Sequence, residues 1–122
     1  VKIQEEPRGA HVVIRIIGTL ALGENTRMLQ ERFEAVATEK SGALILDMSL
    51  LEHLDSTAVG VLVGGLKRLE GQGRRFYLVS PKERVASVFR ITHLDSVFRT
   101  FGSVEEAIKS ADLATEEQTS EH

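Results

Sequence analysis

The sequence predicts an α/β fold: a mixed, mostly parallel β-sheet of about four to five strands with helices packed against it. Three observations carry the prediction. From residue 43 onward, short apolar, β-branched runs alternate with stretches of helical spacing, the pattern of parallel strands linked by crossover helices. Ahead of them lie two strand-like runs joined by a turn, which makes the sheet mixed. Finally, the apolar period lengthens from two residues to about 3.6 after Asp55, within Leu51–Leu69 (LEHLDSTAVGVLVGGLKRL).

Residues 1–6 (VKIQEE) alternate polar and apolar as an edge strand does, and Pro7-Arg8-Gly9 is a turn. His11 to Ile17 (HVVIRII) is β-branched and predicts a central strand hairpinned to the first. Gly18 to Gly23 is expected as a loop. Asn25 or Thr26 can cap a helix reaching about Lys40, with Leu29, Phe33, Val36 and Ala37 on its inner face. Ala43 to Met48 predicts a buried strand, and the segment from there to Asp55 a loop. The central helix then places Val59, Leu62, Val63, Leu66 and Leu69 on one stripe and stops near Gly71-Gln72-Gly73. Arg75 to Val79 predicts a further strand. Ser80-Pro81-Lys82-Glu83 has capping-box spacing, so a helix with Val85, Val88 and Phe89 inward is expected from there. Phe98 to Phe101 is a last short strand, and Ser103 to Glu106 repeats the box before a helix through Ala107, Ile108 and Ala111. Residues 1–112 are thus expected as one domain and the polar 113–122 as an unstructured tail.

Composition narrows the function. A chain of 122 residues, 42% hydrophobic and 27% charged, fits a single globular domain. Its net charge of −3, with no basic stripe interleaved with aromatics, argues against nucleic acid. Without cysteine there is no thiol catalysis and no disulfide. No positive leader with an apolar core opens the chain, and its apolar runs fall far short of the roughly 18–20 residues that span a bilayer. A cytoplasmic protein without direct membrane insertion is expected.

Asp55-Ser56-Thr57 puts three cap-competent residues where one suffices. Ser56 is therefore expected at a helix N-terminus, where backbone N–H groups favour a phosphoryl group. Gly60, Gly64 and Gly65 each cost the helix about 1 kcal/mol relative to alanine. They serve either close approach by a partner or tight packing on the sheet. Catalytic readings fail: L-D-S-T-A is not the hydrolase elbow, and His53 lacks a third group to orient it toward Ser56. The glycines fall inside the helix rather than before it, so no phosphate loop is formed. Asp47, Glu52 and Asp55 read as solvated loop carboxylates rather than metal ligands. Lys67, Arg68, Arg74 and Arg75 read as a solvated basic helix end. No catalytic residue, metal or cofactor is expected.

At Asp55-Ser56-Thr57-Ala58-Val59-Gly60 the chain resembles STAS domains, in particular the bacterial anti-sigma factor antagonists (anti-anti-sigma factors). That family shows an apolar strand, here Leu44 to Met48, then a loop, then D-S-[ST]-G-[LI]-G opening an amphipathic helix. The likeness extends through the Gly71-Gln72-Gly73 turn, the Ser80-Pro81 helix and Ile91-Thr92-His93-Leu94. The resemblance implies a phosphorylation switch at Ser56, with Thr57 as a secondary acceptor. It implies an anti-sigma factor that is also a serine kinase as partner, bound by unmodified antagonist and released by the phosphorylated form, and a serine phosphatase that resets the switch. Asp55, Ser56, Thr57, Ala58, Gly60, Val61, Gly64, Gly65 and Arg68 are the partner-binding residues so implied, with added phosphate repelling the partner beside Glu52 and Asp55. Two departures stand out: Ala58 replaces the usual glycine, and Gly18-Thr19-Leu20-Ala21 lacks the acidic residue of the usual G-E-L-D, for which Glu24 is a substitute. A competing expectation is a STAS accessory subunit of an ABC-type membrane transport complex without phospho-switching. A monomer or weak homodimer suits either.

Overall fold

The computed structural model describes residues 1–21 and 23–120. Six strands and four helices follow in the order β1 (Lys2–Arg8), β2 (His11–Leu20), α1 (Glu24–Glu39), β3 (Leu44–Asp47), β4 (Leu51–Leu54), α2 (Ser56–Glu70), β5 (Phe76–Val79), α3 (Glu83–Ile91), β6 (Arg99–Phe101) and α4 (Val104–Ser120). The sheet order is β1-β2-β3-β5-β6, with β4 pairing the far end of β2. Only β1–β2 is antiparallel.

Strand alternation divides the core into two layers, because successive side chains leave opposite faces. Val12, Ile14 and Ile16 of β2, Leu44 and Leu46 of β3, and Phe76 and Leu78 of β5 point toward α1, α2 and α3. Val13, Ile45, Tyr77 and Val79 point the other way, under Ala107 and Ala111 of α4. Both faces of the central strands are covered, which is why Leu44–Asp47 and Phe76–Val79 are buried at every position.

Three local expectations are corrected. Residues 51–54 form a strand rather than a loop. LEHL is too short and too polar to announce itself, and it pairs only with the end of β2 past a register shift at Gly18/Thr19. Ser80 does not cap α3: its N–H donates to Phe101 O at 2.8 Å, holding it in the sheet layer at φ 49°, and the helix begins at Glu83 after Lys82. Likewise α1 starts after Gly23, so Asn25 and Thr26 lie inside it. Helix α4 runs through Ser120; no glycine or proline interrupts the chain after Gly102, and alanine, glutamate and glutamine favour helix. Glu121 and His122 lie outside the described residues. The Ser103 box forms in a shifted version: Ser103 Oγ accepts from Glu106 N–H, while the Glu106 carboxylate accepts at 3.1 Å from the N–H of Gly102, one residue before the cap.

Candidate functional site

The start of α2 is built from its flanks. Asp55 N–H donates to Leu20 O at the end of β2, which ties the helix start to the sheet. From an extended backbone (φ −100°, ψ 178°), Asp55 Oδ1 then accepts from Ala58 N–H at 2.9 Å, while its carbonyl accepts from Val59 N–H at 3.0 Å. Asp55 is therefore the cap, and Ser56 and Thr57 are the first two helical residues. Both are exposed, and neither hydroxyl makes a hydrogen bond among the described residues.

Support comes from beneath. Asp47, 5% exposed at the end of β3, is the register partner of Arg15 and receives its Nε–H at 2.9 Å. Its other oxygen accepts from the N–H and Oγ–H of Ser49. Burial alone would raise the Asp47 carboxyl, but the bonds from Ser49 and Arg15 overcome it and hold the group below the usual carboxylate range. This cluster shapes the turn between β3 and β4 and hence the approach to Asp55. It corrects the expectation of a solvated loop carboxylate. The visible signal was one arginine and one aspartate placed across two otherwise apolar strands.

The candidate partner residues separate into two sets. Ser56, Thr57, Gly60, Gly64 and Arg68 are exposed, and Asp55 and Val61 are partly so. Thr57, Gly60, Val61, Gly64 and Arg68 line a groove between α1 and α2 whose other wall carries Gln30 and Glu34. A Cβ added at Gly60 or Gly64 would meet nothing within 4 Å, so these glycines keep the groove floor low. Gly65 instead packs inward, where a Cβ would lie 2.7 Å from Phe33 Cδ2 and 3.1 Å from Phe76 Cε2. Ala58 is 0% exposed, so its extra methyl belongs to the core and not to a surface that a partner approaches. Helical periodicity turns both residues toward the sheet; Ala58 leaves the expected contact surface, while buried Gly65 still lines the groove beside Phe33.

Charges around the site are mostly spoken for. Arg68 donates to Glu34 from Nε and Nη2, at 3.3 and 3.0 Å, closing one end of the groove. Glu52 is bonded to Lys82, whose hydrogen bond and charge hold the carboxyl below its usual range. The repulsion expected from Glu52 is thereby reduced and Asp55 remains the nearer anion. Arg74 is not a solvated helix end either: it donates to Val36 O, Ala37 O and Gly42 O, closing the C-terminus of α1. The Glu24 side chain lies outside the described residues. His53 is exposed on β4, whereas His11 is buried, its Nδ1 accepting from Ala43 N–H and its Nε2 facing Asp112 Oδ1 at 2.7 Å.

A mixed sheet with a serine-capable helix start at its edge is the arrangement of a STAS domain. The STAS domain model matches residues 2–107, and the chain belongs to that family. It is 35% identical over 77 residues to a candidate anti-sigma factor antagonist of Thermotoga neapolitana, covering 63% of this chain and 68% of that protein. Among solved structures, a candidate anti-sigma factor antagonist from Thermotoga maritima superposes with a TM-score of 0.83 at 26% identity, over 90% of this chain and 94% of that one. The anti-sigma factor antagonist SpoIIAA in its unphosphorylated form superposes with a TM-score of 0.78 at 25% identity, over 89% and 95%. No helix among the described residues is long and apolar enough to cross a membrane.

Proposed function

We propose that this chain is an anti-sigma factor antagonist: a non-enzymatic cytoplasmic binding module that sequesters an anti-sigma factor with serine-kinase activity, and so frees a sigma factor, until Ser56 is phosphorylated. One observation carries the reading. The Ser56 hydroxyl is exposed at the first position of α2, while Asp55 performs the capping that a serine there would otherwise supply. Among the described residues the Ser56 hydroxyl makes no hydrogen bond, which leaves it open to a kinase. Thr57, one residue on and also exposed, is the secondary acceptor.

The fold tolerates the modification. A phosphate at Ser56 carries about −1.5 to −2 charges and sits beside first-turn N–H groups, where negative charge is favoured. Its effect falls on the partner. A surface formed by Ser56, Thr57 and the groove floor at Gly60 and Gly64 would have to bury that dianion, with Lys82 already engaged by Glu52. Desolvating an unpaired charge costs several kcal/mol, and roughly 2.8 kcal/mol is already a hundredfold in affinity. ATP belongs to the kinase, and a serine phosphatase restores the binding form.

The test is binding of Ser56→Ala and Ser56→Asp to the anti-sigma factor kinase that wild-type chain captures from its native cells, with phosphosite mapping of the wild type. Ser56→Ala should bind as wild type and Ser56→Asp about tenfold or more weaker, since carboxylate mimics less than the full phosphate charge. Equal affinities would sink the switch.

A further inference from the structure

At the other end of the sheet, where β5 and β6 begin, two residues lining a cavity beside α4 carry buried donors without a partner among the described residues. Tyr77, 3% exposed, lines it, and its phenolic oxygen is buried without a hydrogen-bond partner. Arg74 lines it too. Its Nε and Nη1 are engaged by the carbonyls of α1 and Gly42, yet Nη2 is buried and unpartnered. Arg75 and Arg99 complete the polar wall. Among the described residues no carboxylate pairs with any of these three guanidinium groups.

Buried donors are nearly always satisfied, and each orphan costs about 1–3 kcal/mol, more when charged. Burial pushes the Arg74 guanidinium below its usual value, but an arginine keeps its proton, so a positive group lies behind the cavity wall. Arg99 is the register partner of Tyr77, and its guanidinium stacks 5.8 Å from the Tyr77 ring centre and 5.1 Å from that of Phe101. Stacking holds the fork in place at the cavity wall. Among the described residues, three arginines face one lining carboxylate, Glu70, an excess of positive charge that suits a phosphate monoester dianion better than a monocarboxylate. The cavity measures about 460 Å³, and Val97 and Leu113 on its rim are 43% and 50% exposed. That is room, and apolar surface, for an organic group beside the phosphate.

We propose that this cavity binds a phosphorylated small molecule, its phosphate held by Arg75 and Arg99 above Tyr77 and Arg74. The site stands apart from Ser56 and does not rest on the phospho-switch. It is tested by ¹⁵N NMR titration of the full chain with inorganic phosphate, phenyl phosphate and benzoate at constant ionic strength set with chloride. Saturable shifts at Arg75, Tyr77 and Arg99 are expected with both phosphates, phenyl phosphate binding more tightly and benzoate about tenfold or more weaker. Arg75→Gln/Arg99→Gln, at exposed positions that leave the core intact, should cut phosphate affinity about tenfold or more. Shifts absent from these residues, matched by chloride, equal with benzoate, or unchanged in the arginine variant would overturn the proposal.

Discussion

Alanine substituted at neighbouring glycines of α2 should stabilise the fold at one and not at the other. At Gly64 the added Cβ meets nothing within 4 Å and the position is exposed, so only helix propensity acts. Gly64→Ala is expected to stabilise by about 0.8–1 kcal/mol. At Gly65 the same methyl would stand 2.7 Å from Phe33 Cδ2 and 3.1 Å from Phe76 Cε2. Those rings are buried and pack edge to face with centres 5.3 Å apart, so neither retreats without disturbing the other. Overpacking of this kind costs roughly 1–3 kcal/mol. Set against the same propensity gain, Gly65→Ala should fall between no change and a loss of about 2 kcal/mol. Urea unfolding with a common m-value reads the difference directly as a shift in midpoint. A Gly65→Ala variant as stable as Gly64→Ala would refute the packing assignment. Partner binding should follow a different order: Gly64→Ala and Gly60→Ala raise the groove floor and weaken docking even as they stabilise the fold. Undiminished binding by both would remove the groove from the proposed contact surface.

Further outcomes follow from the same geometry. Asp55→Ala should cost about 1 kcal/mol through loss of the bond to Ala58 N–H. Ser56→Ala should stay within about 0.5 kcal/mol of wild type, and a loss as large as that of Asp55→Ala would return Ser56 to a structural role. Because the folded Asp47 carboxyl titrates below its unfolded value, its stabilisation is complete above the unfolded pKa of about 3.9 and disappears as pH falls through the folded value. Chemical unfolding below about pH 4 should therefore show a steeper loss in wild type than in Asp47→Asn; parallel curves would contradict the assignment. Phosphorylation at Ser56 should leave the far-ultraviolet circular dichroism unchanged, and a large loss of helix on modification would mean that the dianion disrupts α2.

Much of the fold was legible because burial on both sheet faces writes itself into composition. HVVIRII, ALILDM and RFYLV are continuous apolar runs, and the stripe of α2 needs only its own periodicity. The candidate phosphoacceptor was legible for a similar reason: Asp55, Ser56 and Thr57 are adjacent, and helix capping is a local interaction. What a neighbouring strand supplies could not be read so. β4 exists because β2 runs on to Leu20 and offers it a partner, and Ser80 leaves its capping role because Phe101, 21 positions away, takes its N–H. The three α2 glycines are alike in the sequence, yet Gly65 meets Phe33 and Phe76 while Gly60 and Gly64 face open space. Arg74 likewise passes for a solvated helix end until the carbonyls of Val36, Ala37 and Gly42 take up its guanidinium. The chain alone determined which residues are apolar, which can cap, and where the periods change. Tertiary packing decided which glycines and charges meet a neighbour, since those contacts join residues distant in sequence through a sheet whose pairing no local pattern specifies.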